Sequence, residues 1–151
     1  MTARVQRESF DPGQEIGTFC RRNAASGGVA TFVGQVREVR SDGTPIGRMA
    51  LEHYPGMAEA QFAALIDDAR RRWPLDDVLV IHRYGDLAPG DPIVLVATAS
   101  AHRDAAFASC EFLMDWLKTK APFWKKESLP TGDAWVSAAA EDGQRAARWD
   151  K

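Results

Sequence analysis

The stretch Lys118-Thr119-Lys120-Ala121-Pro122-Phe123-Trp124-Lys125-Lys126-Glu127 decides how this chain folds, because the backbone has to change its periodicity within it. Upstream, Ala106, Cys110, Leu113 and Leu117 recur at helical spacing, with Arg103, Phe107, Met114 and Lys118 along an adjacent stripe. The spacing predicts a helix from near His102 to about Thr119. Ala121-Pro122 ends it, since a residue before proline disfavours the α region. From Phe123 the chain is expected to be extended, with Phe123, Lys125 and Glu127 on one side and Trp124 and Lys126 on the other. Four lysines thus share ten positions with two aromatics across a helix end. Such a cluster suits a pocket that receives an anion, and a solvated last helical turn, where lysine complements the macrodipole, accounts for the same residues.

Working outward, the unbroken apolar run Ile93 to Ser100 suits a buried strand, and Asp77 to Leu87 reads as another, with Ala88-Pro89-Gly90-Asp91 turning between them. A helix is expected over 57–73, where Phe62, Leu65, Ile66 and Ala69 share a face and Trp73-Pro74 closes it. Gly28 to Arg37 is β-branched and aromatic, a strand in which Gly34 suggests a bulge or a close approach. Ser41 to Pro45 turns it into a partner strand over 46–54. Near the start, residues 3–9 alternate weakly as a first strand. Asp11-Pro12-Gly13-Gln14 then opens a helix to about Asn23, with Ile16, Phe19 and Cys20 inward. Thr131-Gly132-Asp133 leads into a short strand at 134–136, and the tail from about 138 is polar and alanine-rich, a helical or partner-dependent segment. The order is β-α-β-β-α-β-β-α-β-β, and there is no linker or repeat. Residues 1–151 are therefore expected to form a single α+β domain with a largely antiparallel sheet and three main helices.

The bulk numbers exclude several classes. A net charge of -2 argues against a general nucleic-acid surface. No apolar run approaches the roughly 20 residues that cross a bilayer, and the first residues lack the apolar core of a signal peptide, so the cytoplasm is the expected location. Cys20 and Cys110 lack partners at zinc-ligand spacing and are expected to be buried reduced thiols. His53, His82 and His102 are scattered, so no metal site is expected. The G-x-S-x-G, P-loop and dinucleotide fingerprints are all missing.

Cationic groups meet special backbone in three places: Gly34-Gln35-Val36-Arg37, Ser100-Ala101-His102-Arg103-Asp104 and the lysine stretch. Arg37 could be a solvated strand end, and His102 with Arg103 a helix cap salt-bridged to Asp104. Free N–H groups at a strand-to-helix junction, with His and Arg beside them, also suit an oxyanion or phosphate. Chemistry alone leads to an anion-binding pocket with a lysine available to work in it.

These same stretches carry a family resemblance. Phe32-Val33-Gly34-Gln35-Val36-Arg37, Tyr54-Pro55-Gly56-Met57-Ala58-Glu59, His82-Arg83-Tyr84-Gly85-Asp86-Leu87, Ala101 to Phe107 and Lys118 to Glu127 together resemble the large, catalytic subunits of molybdopterin synthase, the MoaE family. The likeness runs from about residue 3 to residue 136. It implies an α/β-hammerhead type of fold and a sulfurtransferase of molybdenum cofactor biosynthesis that converts cyclic pyranopterin monophosphate to molybdopterin. Two sulfurs would come from the thiocarboxylated Gly-Gly tail of a small ubiquitin-like subunit. Large subunits would pair as a homodimer within a heterotetramer, with no cofactor of their own, since the product is itself the molybdopterin moiety.

By the same resemblance Lys118 and Lys125 are the catalytic residues. Gln35, Val36, Arg37, His102, Arg103, Lys126 and Glu127 would hold the substrate, and Phe32, Met114, Phe123 and Trp124 would wall the pocket. One departure stands out: relatives can carry an arginine just after the last strand, where this chain reads Ser137-Ala138-Ala139. A non-catalytic scaffold for a ubiquitin-like tail is the competing reading, but it has no use for Arg37, His102 and Arg103.

Helix geometry adds a constraint. Arg103 and Lys118 stand 15 residues apart on one expected helix, about 22 Å at the standard rise. If both touch one small substrate, His102 and Arg103 must come from a second copy of the chain.

Overall fold

The computed structural model describes residues 1–54, 56–121, 123–136 and 140–150, without the side chains of residues 124 and 140–142. In chain order the elements are β1 (Thr2–Gln6), α1 (Pro12–Arg22), β2 (Gly28–Gln35), β3 (Arg48–His53), α2 (Met57–Arg72) and β4 (Asp77–Arg83). They continue with β5 (Gly85–Leu87), β6 (Pro92–Ser100), α3 (Arg103–Thr119), β7 (Phe123–Leu129), β8 (Gly132–Val136) and α4 (Ala140–Ala147). Asp11 caps α1 as its sequence asks, its carboxylate accepting from the Gln14 N–H with Pro12 in the first turn.

The strands form two four-stranded sheets, ordered β1-β4-β6-β2 and β5-β3-β7-β8, and every pairing is antiparallel except β1 with β4. The α+β, largely antiparallel reading holds, with the strands shared between two sheets and a fourth helix in the tail. In the first sheet, β4 and β6 are central, which is why both read as apolar runs. Their alternate residues feed two cores. Val78, Val80, Val94 and Val96 meet Phe62, Leu65 and Ile66 of α2 and Cys110, Leu113 and Leu117 of α3. Leu79, Ile81, Leu95 and Ala97 meet Phe19 of α1. A third, smaller core of Val36, Met49, Leu51 and Leu87 lies on the second sheet.

Two expectations are corrected. The segment from Asp77 to Leu87 is not one strand: it breaks at Tyr84, and β4 stays in the first sheet while β5 pairs with β3 in the second. Gly85 makes the break possible at φ +88°, a conformation L side chains rarely adopt. Cys20 is exposed rather than buried, because α1 turns the preceding residue, Phe19, fully inward and one step along a helix rotates the side chain by about 100°. Cys110 is buried as expected, and burial, with Glu111 nearby, pushes its thiol up to about 12, so it is an inert core group.

The end of the chain docks back on α3. Asp115 accepts from Trp149 Nε1 at 2.7 Å and from Arg148 Nη2 at 2.9 Å, and the Trp149 ring meets Trp73 and Phe112 edge-on. An unsatisfied carboxylate on that helix face would be costly, and the returning segment satisfies it.

Candidate active site

α3 is one continuous helix, so its two ends are separate places. Its N-terminus abuts the start of β2: a Cβ on Gly28 would lie 3.3 Å from the Arg103 Cα, and one on Gly27 only 2.1 Å from the Ala101 carbonyl oxygen. Only glycine allows that approach. His102 caps the helix by position but makes no side-chain cap bond, and both His102 and Arg103 are exposed. Among the described residues neither side chain forms an ion pair or hydrogen bond, so the cap-and-salt-bridge reading of these two finds no side-chain contact to rest on.

The other end delivers the lysines. Lys118 is exposed on the last turn of α3, and Lys120 caps the helix through its N–H to the Trp116 carbonyl at 2.8 Å. A tight turn, with the Phe123 N–H on the Ala121 carbonyl at 2.9 Å, starts β7. In β7, Lys125 stands opposite Leu51 and Glu127 opposite Met49, both buried, so the two share the inner face of the second sheet. Lys126 points to the outer face, 3.5 Å from Asp133 and with its ammonium 5.8 Å from the exposed Trp135 ring. The alternation expected from Phe123 onward is therefore present as far as the described side chains go. Those of Trp124, and residues Pro122 and 137–139 with the expected arginine departure, lie outside them.

Phe123 ties this end together. It packs with the Val36, Met49, Leu51 and Leu87 core and also against the core of the first sheet that contains Met114 and Leu117. Val36 is held by its N–H on the Asp91 carbonyl at 2.9 Å, and the register of β2 slips between Gly34 and Gln35, the bulge that Gly34 suggested. Gln35 and Arg37 flank Val36 and are exposed. Phe123 is thus packed against both the core that holds Met114 and the core that holds Val36, with Lys118 on the last turn of α3 before it and Lys125 two residues after it in β7. His102 and Arg103 stay at the other end, about 22 Å away along the helix. Phe32 remains 43% exposed on β2, and Glu127 is buried with its carboxylate 3.4 Å from Arg40.

Sequence reasoning gave His82 no role. Its ring stacks on Phe123 with centroids 4.0 Å apart and planes 13° apart, and Nδ1 lies 2.8 Å from the Arg83 carbonyl oxygen. Burial is the main cause that lowers it to about 4; the Arg83 carbonyl opposes this, and the charges of Lys118 and His53 add to it. The signal was a lone histidine directly after Val78-Leu79-Val80-Ile81, a polar ring in a strand with no solvent face.

An open cleft of about 420 Å³ lies elsewhere, between β1 and α2, lined by Met1, Ala3, Ala63, Ile66, Asp67 and Arg70 among others; none of the predicted site residues borders it. No three His, Cys, Asp or Glu side chains converge as a metal-ligand set among the described residues, and no helix there is long and apolar enough to cross a membrane.

The family model described as MoaE protein matches residues 5–120. The chain is 49% identical over 151 residues to the molybdopterin synthase catalytic subunit of Pseudomonas aeruginosa, covering 100% of both. Among solved structures it resembles the molybdopterin biosynthesis MoaE protein of Burkholderia ambifaria, with a TM-score of 0.82, 48% identity and coverage of 99% and 98% of the two chains. It shares its fold with a chain of the complex of subunits 1 and 2 of molybdopterin-converting factor from Helicobacter pylori, with a TM-score of 0.74, 18% identity and 89% of each chain covered.

Proposed function

The chain belongs to the MoaE protein family, and from that premise we propose how its own residues carry out the sulfur transfer of a molybdopterin synthase catalytic subunit. The reaction converts cyclic pyranopterin monophosphate to molybdopterin, the sulfur arriving as a thiocarboxylate on the C-terminal Gly-Gly of a small ubiquitin-like subunit. The observation that carries the assignment of roles is the placement of Lys118 on the last turn of α3 and Lys125 in β7, on either side of the packed Phe123.

Both reactants are anions. A thiocarboxylate entering beside Lys118 and Lys125 meets two ammonium groups on rigid elements, which favours the bound anion and the negative charge that develops as sulfur leaves the carbonyl carbon. Among the described residues Lys118 has no salt-bridge partner, so its charge is available to a ligand. Arg37, at the bulged end of β2, stands ready for the phosphate in the same way. His102 and Arg103 join the site from a second copy of the chain, consistent with a homodimer of large subunits inside a heterotetramer with two small ones, in the cytoplasm.

Incubation with cyclic pyranopterin monophosphate and a thiocarboxylated small subunit should yield molybdopterin. Lys118→Ala should lower that yield by about a hundredfold or more, a loss typical of a residue acting at the reacting centre. Near-normal yield from Lys118→Ala would refute the assignment of Lys118.

A further inference from the structure

We propose that His82 is a positioning residue for the sulfur transfer: its ring, stacked on Phe123, sets the spacing between Lys118 and Lys125. This inference rests on the function proposed above and adds a residue to it.

The two lysines sit on different elements. α3 ends at Thr119 and β7 begins at Phe123, so the few residues between them could let the ends drift relative to one another. Phe123 is the fixed point in that junction, five residues after Lys118 and two before Lys125. His82 stacks on it almost in parallel at 4.0 Å, His53 lies 5.7 Å away at 27°, and Phe62 packs at 6.0 Å. His53 in turn lies tilted at 44° against Tyr84 at 4.2 Å, and Arg7 covers the Tyr84 ring at 4.9 Å. The rings come from β4, β3 and α2, so elements of both sheets grip the residue that joins the lysines.

The imidazole is suited to this in a way an aliphatic side chain is not. The Arg83 carbonyl oxygen can only accept, so Nδ1 carries the proton and donates to it, and that bond fixes the plane of the ring. A flat ring in a fixed plane gives Phe123 one seat; a leucine in the same space would allow several. The ring is also uncharged at neutral pH, so it adds no second cation beside Lys118.

The test compares His82→Leu with His82→Phe, using wild type as the control. Turnover to molybdopterin, half-saturation by the thiocarboxylated small subunit and thermal midpoint are measured for each. Positioning predicts that His82→Leu loses about tenfold or more in kcat with half-saturation within about twofold of wild type, because a small misplacement of reacting groups costs rate rather than binding. His82→Phe, which keeps the stack, should recover most of that rate even where its midpoint is lowered by loss of the Arg83 bond. Wild-type turnover in His82→Leu overturns the proposal, and so does an equal loss in both variants. Should His82→Leu fail to fold, the partly exposed His53→Leu takes its place: a several-fold fall in kcat with stoichiometric partner binding supports the clamp, and unchanged kcat overturns it. Absence of product from wild type would instead refute the underlying function.

Discussion

Burial, together with the nearby charges of Lys118 on α3 and His53 on β3, keeps the His82 imidazole neutral down to about pH 4, while in the unfolded chain it takes up a proton near 6.5. The sign follows from which state binds the proton first. Between pH 6.5 and 4 the unfolded state is the more protonated, so the contribution of His82 to stability is fully present above 6.5 and is lost as pH falls toward 4. The whole shift corresponds to about 3 kcal/mol. Urea midpoints of wild type should therefore fall more steeply than those of His82→Phe between pH 7 and 4.5, the carboxylates common to both cancelling in the difference. Parallel curves would mean that the ring protonates without opposition. This is also where sequence reading reached its limit at the residue scale. Lys118 and Lys125 announce themselves by charge beside a helix break, but the state of His82 depends on Phe62, Phe123 and Lys118, which are distant in sequence and meet it only through tertiary packing.

Elements whose pattern is local were legible, and features that depend on a partner distant in sequence were not. α1 could be read from Asp11-Pro12, the end of α3 from Ala121-Pro122, and β4 and β6 from their β-branched runs. The division of Asp77 to Leu87 into β4 and β5 turns on Gly85, and nothing in the run itself says that its second half will pair with Met49 and Leu51 in another sheet. Gly85 is therefore the residue on which the two-sheet layout hinges. An alanine there carries two penalties: a φ of +88° that side chains rarely adopt, and a Cβ 2.8 Å from Arg7 Nη1. The arginine can swing aside at the expense of its contact with Tyr84, whereas the backbone strain has no such outlet. Gly85→Ala should lose about 1–3 kcal/mol in a denaturant titration, and a loss much smaller than that would show that the break survives without glycine. The tail was legible as a helical segment, but its docking on α3 was not: Trp149 and Arg148 acquire meaning only once Asp115 is seen on the face of α3 that they cover.

At the scale of the molecule, one chain presents its candidate anion-binding residues in separate places. Lys118 stands on the last turn of a 17-residue helix, while His102 and Arg103 sit at its far end, about 22 Å away, with no ion pair among the described residues. The far end has the character of a contact surface. β2 closes the first sheet as an edge strand, and Val29 and Phe32 on it are 36% and 43% exposed, with Phe107 on the first turns of α3 at 65%. A second copy related by a twofold axis and seated there would carry each chain's Arg103 toward its partner's Lys118, completing two sites at once. Two single variants can decide this. Homodimers of Arg103→Ala and of Lys118→Ala each lack one half of both sites and should be near background in molybdopterin formation. A heterodimer isolated with a different tag on each chain pairs both defects in one of its sites and leaves the other whole, so it should regain roughly half of the wild-type rate per dimer. If Arg103 instead served the site of its own chain, both sites of the heterodimer would carry one defect and the rate would stay at background.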